Sequence, residues 1–494
     1  MPDTMKMLPL TFGVEIEVLF AMNYDMIQSC YPLTPLLTLL RENHRPDPRD
    51  RLVDIITDFD ERMLQAAGIL RKRGLDFVLH HPSDDTPEND LDFFNDWRLT
   101  SEIAVPSPES NKQIARWSNY RILDLEGWLF TGLELISRIL DAPNPQASNG
   151  ESESLSEVNE YLELMTKRIS ANPPFQFMGH PKATSIHVHV GLQPSTTGQV
   201  AIPLHVLRRL AWIILTFEDT ITLLHHPERH GYHGTKTERH ALPNRSGYAC
   251  RLGDSAHFCQ PFNPVKAFMW IFNFNITSEV EGLEELRRIM CGTRGWSGDF
   301  AYYRAFFVNF TNIVPSDPWS TKTTVEFRQH HGTLDEKDID EWIVFVTALV
   351  RAAERKAHQA TTEGAQIPEL PGSLYGATVS DMPRVAEEMS KYASVFNTSK
   401  RSLKQLFDLL DLPIERRQYW WARAVDLQAI LRQGGYRYKE CRPSWLCKEP
   451  RVWDCEGWQE GELDEPPWDL EEGDSSGDSS GLGIHTPKSS SSSN

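Results

Sequence analysis

The chain lacks most of what would mark it as secreted, membrane-spanning or nucleic-acid-binding. Its seven cysteines (Cys30, Cys250, Cys259, Cys291, Cys441, Cys447 and Cys455) are odd in number, scattered, and form no CxxC pair. That argues against a disulfide scaffold and against a cysteine-rich zinc module, and fits a reducing compartment. The opening MPDTMKMLPLTFGVEIEV holds no apolar run of the ~7–15 residues that a signal peptide uses. The most apolar long stretch, Val206 to Leu224, is interrupted by Arg208, Arg209, Glu218 and Asp219, so it does not span a membrane. No basic stripe is present, and a net charge of -19 sets nucleic acid aside as a partner. Internal repeats are missing too. The expectation is a cytoplasmic protein that contacts neither membrane nor nucleic acid.

What is present is an ordinary globular composition over 494 residues, 40% hydrophobic and 24% charged, enough for a substantial core. The charge is uneven. From Asp454 onward, eleven Asp and Glu face the single Lys488, so more than half of the net charge sits in a terminal segment that closes on a run of serines. Residues 454–494 read as an acidic, Ser-rich disordered tail. Before it, apolar residues at helical spacing predict helices over 50–73, 155–169, 203–224 and 278–290, and a long one capped by Thr333 and Asp335. Patterns around 382–392, 400–412 and 420–431 make 356–453 a mostly helical extension. Strand-like runs cover 11–20, 97–105, 129–139, 300–313 and 321–330.

Three short pairs inside those runs carry the chemistry: Glu15-Ile16-Glu17, His187-Val188-His189 and Glu326-Phe327-Arg328. Side chains two apart in a strand point the same way. Val14, Ile16 and Val18 then face a core while Glu15 and Glu17 stand on the other side. Ile186, Val188 and Val190 back the histidines, and Val325 and Phe327 back Glu326 and Arg328. Two adjacent carboxylates repel unless a proton or a cation lies between them. Taken singly, each pair has a bland alternative: a solvated strand face, two half-exposed histidines or zinc ligands, a cross-strand ion pair. Taken together, they put metal-binding carboxylates, imidazoles and a phosphate-binding guanidinium on one surface, the set that Mg-nucleotide chemistry requires.

The wording around these pairs resembles the amidoligase family of the glutamine synthetase-like carboxylate–amine ligases. The resemblance is carried by Phe12-Gly-Val-Glu-Ile-Glu17, Ser185-Ile-His-Val-His-Val-Gly191 and Thr324-Val-Glu-Phe-Arg-Gln-His-His-Gly-Thr-Leu-Asp335. It extends through Trp97-Arg-Leu-Thr100, Gly132-Leu-Glu-Leu-Ile-Ser137 and Tyr303-Arg-Ala-Phe-Phe-Val-Asn309. It implies an α+β fold, a curved antiparallel sheet with helices packed on its convex face, as a catalytic domain over 10–355 with insertions at 75–96, 141–154 and 225–262. It also implies ATP- and Mg2+-dependent amide formation, Mn2+ being the alternative ion, through an acyl phosphate on a small molecule or peptide, with an amine as co-substrate. By that analogy Glu15, Glu17, Glu134, His187 and Glu326 hold metal, and His189 contacts the nucleotide phosphates. Arg328 neutralises the phosphoryl group in flight beside Glu326, and Arg245 and Asn309 contact nucleotide or substrate. Two positions depart from the family pattern: Glu102 stands where an Asp is usual, and Arg138 follows Ser137 where a Pro is usual.

Two alternatives stay open at this point, a phosphotransferase of the same superfamily and a binding protein of the same fold that has lost turnover. The aromatic residues between Tyr419 and Trp468 read as packing and receive no role.

Overall fold

The alternation of β1 (Leu10–Asn23) makes it the spine of the molecule, because both of its faces and both of its edges are used. The structure, a computed structural model, describes residues 7–42, 61–80, 94–102, 105, 127–147, 152–167, 174–181, 183–195, 200–229, 241–245, 262–273, 277–291, 306–314, 322–359, 374, 376–391, 393–396, 398–434, 438–441, 452–455, 458 and 463–469. Along the chain β1 is followed by β2 (Val78–Leu79), β3 (Arg98–Ser101), β4 (Trp128–Ile136), β5 (Leu140–Asp141), β6 (Phe175–Met178), β7 (Ser185–Leu192), β8 (Val308–Asn309) and β9 (Val325–His331). The sheet order is β2-β3-β4-β1-β7-β9-β8, with β5 and β6 pairing to the two ends of β1. Every pairing is antiparallel except β2 with β3. With eleven α-helices among the described residues, the protein is mixed α/β with an open, mostly antiparallel sheet.

Val14, Ile16, Val18, Ile186, Val188, Val190, Val325 and Phe327 are all buried on one face of that sheet. Each contributes about 1.5–3 kcal/mol by leaving water. The helix Glu336–Gln359 packs on β7 and against the helix Leu204–Thr222, so these two close that face of the core. Asp335 starts the first of them by accepting the Asp338 amide at 3.0 Å, and Thr333 accepts the Asp335 amide at 3.0 Å. The helix Glu279–Cys291 begins as the Ser278/Glu281 pattern predicts: Ser278 accepts the Glu281 amide at 3.2 Å. The Glu281 carboxylate, however, reaches the Thr277 amide at 2.7 Å, one residue earlier than a capping box would place it.

A register shift between β7 and β9 follows Arg328, where Ile186 pairs with His330 and Val188 with Phe327. The extra residue on β9 breaks the alternation, as a β-bulge does. Gln329 then donates to Thr222 on the helix side at 2.7 Å, and the ring of His330 lies 5.5 Å from that of Trp342.

Some expectations are corrected. In the described part of the run 300–313, residues 306–313, only Val308–Asn309 is strand; a 3-10 turn at Thr311–Ile313 ends it, with the Asn309 side-chain oxygen accepting the Thr311 amide at 2.9 Å. Residues 300–305 lie outside the described residues, as do 50–60 of the predicted helix 50–73, which is helical over Glu61–Lys72. The helices Tyr24–Cys30, Leu33–Glu42 and Pro264–Phe272 were not anticipated. Most of the insertions 75–96 and 225–262 fall outside the described residues, and so does the tail beyond Asp469. The acidic segment does not begin its departure from the body at Asp454. Val452–Cys455 pairs with Tyr438–Cys441, Trp458 is buried, and the Trp468 ring lies 6.2 Å from that of Trp421. Aromatic burial outweighs the surrounding charge there. Trp420 likewise packs on Phe345, and a buried Arg416–Glu341 ion pair at 2.8 Å fastens the helix Ile414–Gln433 to Glu336–Gln359. No helix of the described residues is long and apolar enough to cross a membrane.

Candidate functional site

The polar face of the sheet is assembled by register. Glu17 pairs with Glu134 of β4, Glu15 with His187 of β7, His189 with Glu326 of β9, and Glu326 with Asn309 of β8. Four neighbouring strand pairs therefore bring residues 15 to 326 into one row. Glu15, Glu17, His187, His189 and Glu326 are each at most 9% exposed, so their charges are held where water screens them weakly.

His187 is the hub. Its Nδ1 lies 3.3 Å from Glu15 Oε2 and 3.7 Å from Glu326 Oε1, while Nε2 lies 2.8 Å from Ser185 Oγ and 3.7 Å from Glu17 Oε1. Ser185 donates to Glu17 Oε2 at 2.5 Å. Two sets of candidate ligand atoms share this imidazole, Glu15/His187/Glu326 and Glu17/Glu134/His187, and within each set the atoms lie within 4.8 Å of one another. His189 places Nε2 2.9 Å from Glu15 Oε1, and its Nδ1 is 3.1 Å from Thr324 Oγ1.

Three cations border these carboxylates. Arg328 pairs with Glu326, Lys322 Nζ lies 2.8 Å from Glu15 Oε1, and Arg229 donates to the Arg328 carbonyl at 2.7 Å. Burial alone would raise the Glu15 carboxyl, but Lys322 and then His189 hold it well below the usual range. Burial likewise opposes ionisation of Glu326, yet Arg328 and His189 bring it down to about 2. Glu134 goes the other way: burial first, then repulsion from Glu15, Glu102 and Glu17, lifts it well above an ordinary glutamate. Among the clustered carboxylates, Glu134 is the one whose protonated form burial and its neighbours favour. For Lys322, the pull of Glu15 overcomes burial and raises the ammonium pKa. Arg229 is depressed to about 10 by burial, with Glu17 opposing and Arg328 assisting the shift.

The structure thus gathers Glu15, Glu17, Glu134, His187, His189, Glu326 and Arg328 on one surface. Asn309 is there as well, but in a different position from that expected. Its Nδ2 donates to Glu326 Oε2 at 2.7 Å and its Oδ1 accepts the Thr311 amide, so the side chain orients Glu326 and turns no group outward. Arg245 is a correction. It is buried on the helix side, ion-paired with Asp219 and donating to the Leu215 and Thr216 carbonyls at 2.7 and 3.0 Å. Those acceptors use its guanidinium fork inside the core, away from the carboxylate–histidine surface. Lys322 and Arg229 were missed. Lys322 lay inside the predicted strand run 321–330 at the parity of Glu326 and Arg328, a signal that was available although β9 itself begins at Val325. Arg229 sits in the polar run after Leu224, whose richness in His and Arg was the signal there.

Both departures from the family pattern have a local account. Glu102 reaches Glu134 electrostatically, as an acidic residue at that place should. Arg138 forms a two-point clamp on Glu157, Nε to Oε1 at 2.8 Å and the second nitrogen to Oε2 at 2.5 Å. Glu157 also accepts the Trp97 indole N–H at 2.8 Å, and Trp97 stacks on Tyr161 with ring centroids 3.9 Å apart. Trp97 and Arg138 therefore bind the sheet edge to the helix Glu153–Thr166.

Comparison with curated proteins finds no match. Among family models, one described as "putative amidoligase enzyme" matches residues 253–350, a stretch that contains Asn309, Lys322, Glu326 and Arg328 and ends inside the long helix that follows β9. Over residues 253–350 the chain is thus similar to the family that its motifs resemble.

Proposed function

We propose that the protein is an ATP- and Mg2+-dependent carboxylate–amine ligase that forms an amide through an acyl phosphate. The observation that carries the reading is the pair of ligand sets around His187, with Arg328 on Glu326 beside them. The donors are carboxylate oxygens with one imidazole, a hard set that fits Mg2+ or Mn2+ better than zinc, which prefers nitrogen and sulfur. The sheet, open and mostly antiparallel with this chemistry on one face, is compatible with a glutamine synthetase-like architecture.

In this reading Glu15 and Glu326 hold one divalent cation and Glu17 with Glu134 a second, with His187 completing one set. The metal supplies charge neutralisation at the phosphates. The rest falls to the chain. His189, which Thr324 and Glu15 hold at its two ring nitrogens, would contact the nucleotide phosphates. Asn309 and Arg328 hold the two oxygens of Glu326 in place. Arg328, with Arg229 behind its backbone, supplies the positive charge that a phosphoryl group needs as it moves to the substrate carboxylate, a transfer that depends mostly on positioning and electrostatics. Glu134, whose protonated form its neighbours favour, would serve as a ligand in its ionised form. An amine then displaces phosphate from the acyl carbon.

Calorimetric titration with a non-hydrolysable ATP analogue, with and without Mg2+, tests this in the wild type and in Glu17→Gln. Magnesium-dependent binding that weakens at least tenfold in the variant supports the reading. Absence of binding in the folded wild type rejects it. Product analysis then separates a ligase from a phosphotransferase: an amide from a stable phosphorylated product.

A further inference from the structure

The sheet face that carries Glu15 and His189 runs on past them into a pocket. Thr11, Gly13 and Glu15 follow at two-residue spacing along β1, beside His189 and Gly191 on β7. A solvent-open pocket stands over this row; the empty space it encloses together with adjoining solvent is about 560 Å3. Its walls include Phe94, Ile136, Ile139, Leu192 and Pro194, and at its inner end Lys322 meets both Glu15 and, at 5.9 Å, the Phe94 ring.

Gly13 is the informative floor residue. Its backbone is not in the left-handed region, and a Cβ built there meets nothing closer than Ser137 Oγ at 3.8 Å. No turn and no close approach demands glycine. A glycine inside a central strand gives up packing and stiffness, and what it leaves here is open space above the sheet, one residue pair from Glu15.

We propose that this pocket binds a small molecule with an apolar body, aromatic or branched aliphatic, and one carboxylate, the carboxylate docking at Lys322 and Gly13 setting the size of the body. The choice of a carboxylate over a purine rests on the ligase reading and on the polar groups of the wall. Thr323 is spent on the Val200 carbonyl, Thr324 on His189, Ser137 on the Val14 amide and Arg138 on Glu157. Beyond these, the wall is hydrocarbon apart from Thr11 and the linked Glu15, His189 and Lys322. In that set Lys322 is the ammonium an acid would meet, which suits an apolar acid better than the donor–acceptor edge of a base.

Electrostatics couples this pocket to the cation sites. A divalent cation held at Glu15 would repel the Lys322 ammonium and leave it to the ligand carboxylate. Cation and acid therefore favour each other's binding, and by the same factor in both directions.

The test is saturation-transfer NMR on the full-length protein with phenylacetate and isovalerate as probes, each against its amide, with and without Mg2+. Both acids should bind at least tenfold more tightly than their amides, and more tightly still with Mg2+. Gly13→Val should abolish phenylacetate binding while Mg2+-dependent binding of the ATP analogue stays within twofold of wild type. Lys322→Met provides an independent readout, equalising acid and amide. Failure of both acids to bind the wild type overturns the proposal, as does equal binding of the amides or indifference to Gly13→Val. Adenosine binding lost in Gly13→Val would assign the pocket to a nucleoside and overturn it as well. If the acids behave as expected while the ATP analogue never binds the wild type, the ligase reading falls and the pocket assignment stands.

Discussion

Replacing Lys322 by methionine keeps the apolar stem and deletes one charge, which isolates the competition between an ammonium and a divalent cation for Glu15. In the structure the ammonium is 2.8 Å from Glu15 Oε1, and the carboxylate it neutralises is almost fully buried. A unit charge about 4 Å from a divalent ion interacts by about 8 kcal/mol at an effective dielectric of ~20. The full figure is not expected, because the Lys322 side chain is 26% exposed and can swing toward solvent when a cation binds. The cost is then that of giving up one partly exposed ion pair and holding a long side chain elsewhere, roughly 1–3 kcal/mol. Lys322→Met should therefore bind Mg2+ or Mn2+ about 10- to 100-fold more tightly, by calorimetry. Without metal the same variant should be less stable than wild type, since Glu15 is left buried beside His189 without its main counter-charge. The signature is opposite signs: a lower thermal midpoint without metal and a larger upward shift on adding it. Weaker or unchanged metal affinity in Lys322→Met would refute the reasoning, by showing that Lys322 does not occupy the cation's place.

Three further outcomes are expected. Asn309→Leu removes the 2.7 Å hydrogen bond to buried Glu326, so metal affinity should fall about 10- to 100-fold and stability by about 1.5–3 kcal/mol, measured by calorimetry and urea denaturation. Arg245→Met leaves Asp219 buried without its partner and should cost about 3–5 kcal/mol of stability, with metal affinity of the folded fraction unchanged; a selective loss of nucleotide binding in a stable variant would restore Arg245 to the site. His330 and His331 are held well below the usual histidine range, by burial first, with Arg423 beside both and His330 itself acting on His331. The unfolded chain therefore takes up their protons first as pH falls below about 6.5, and each contributes a stability loss approaching about 1.4 kcal/mol per pH unit. Glu218, which burial pushes up to about 8, acts in the opposite sense between about pH 8 and 4.5, so the comparison must be made within a pair of proteins. The urea midpoint of wild type should drop between pH 7.5 and 5.5 by more than that of a His330→Asn/His331→Asn variant, and parallel profiles would rule out the assignment.

Much of the site was legible in the chain because the signal is local. Period-two alternation in Val14-Glu15-Ile16-Glu17-Val18 divides core from chemistry over five residues, and the same holds at His187/His189 and Glu326/Arg328. Glu134 required the wording of its motif, since β4 is only half buried and its own alternation is weaker. Helices with long apolar stripes were found within a few residues of their ends. Short elements held by distant partners were not. Val308–Asn309 is strand only because β9 lies beside it, and Trp458 is ordered because a helix is there to cover it.

The sequence by itself determined which residues share a face, because side-chain direction in a strand depends only on parity. It could not determine which strands are neighbours or in what register, since a pairing between residues 17 and 134, or 189 and 326, is bought with long-range contacts that leave no local mark. Only the tertiary structure decided that His187 lies between two carboxylate sets, that Lys322 and Arg229 arrive from outside the strands to balance them, and that Arg245 is held inside the core. The reason is physical: charge balance in a buried site is a property of everything within a few ångströms, and the chain that supplies it comes from hundreds of residues away.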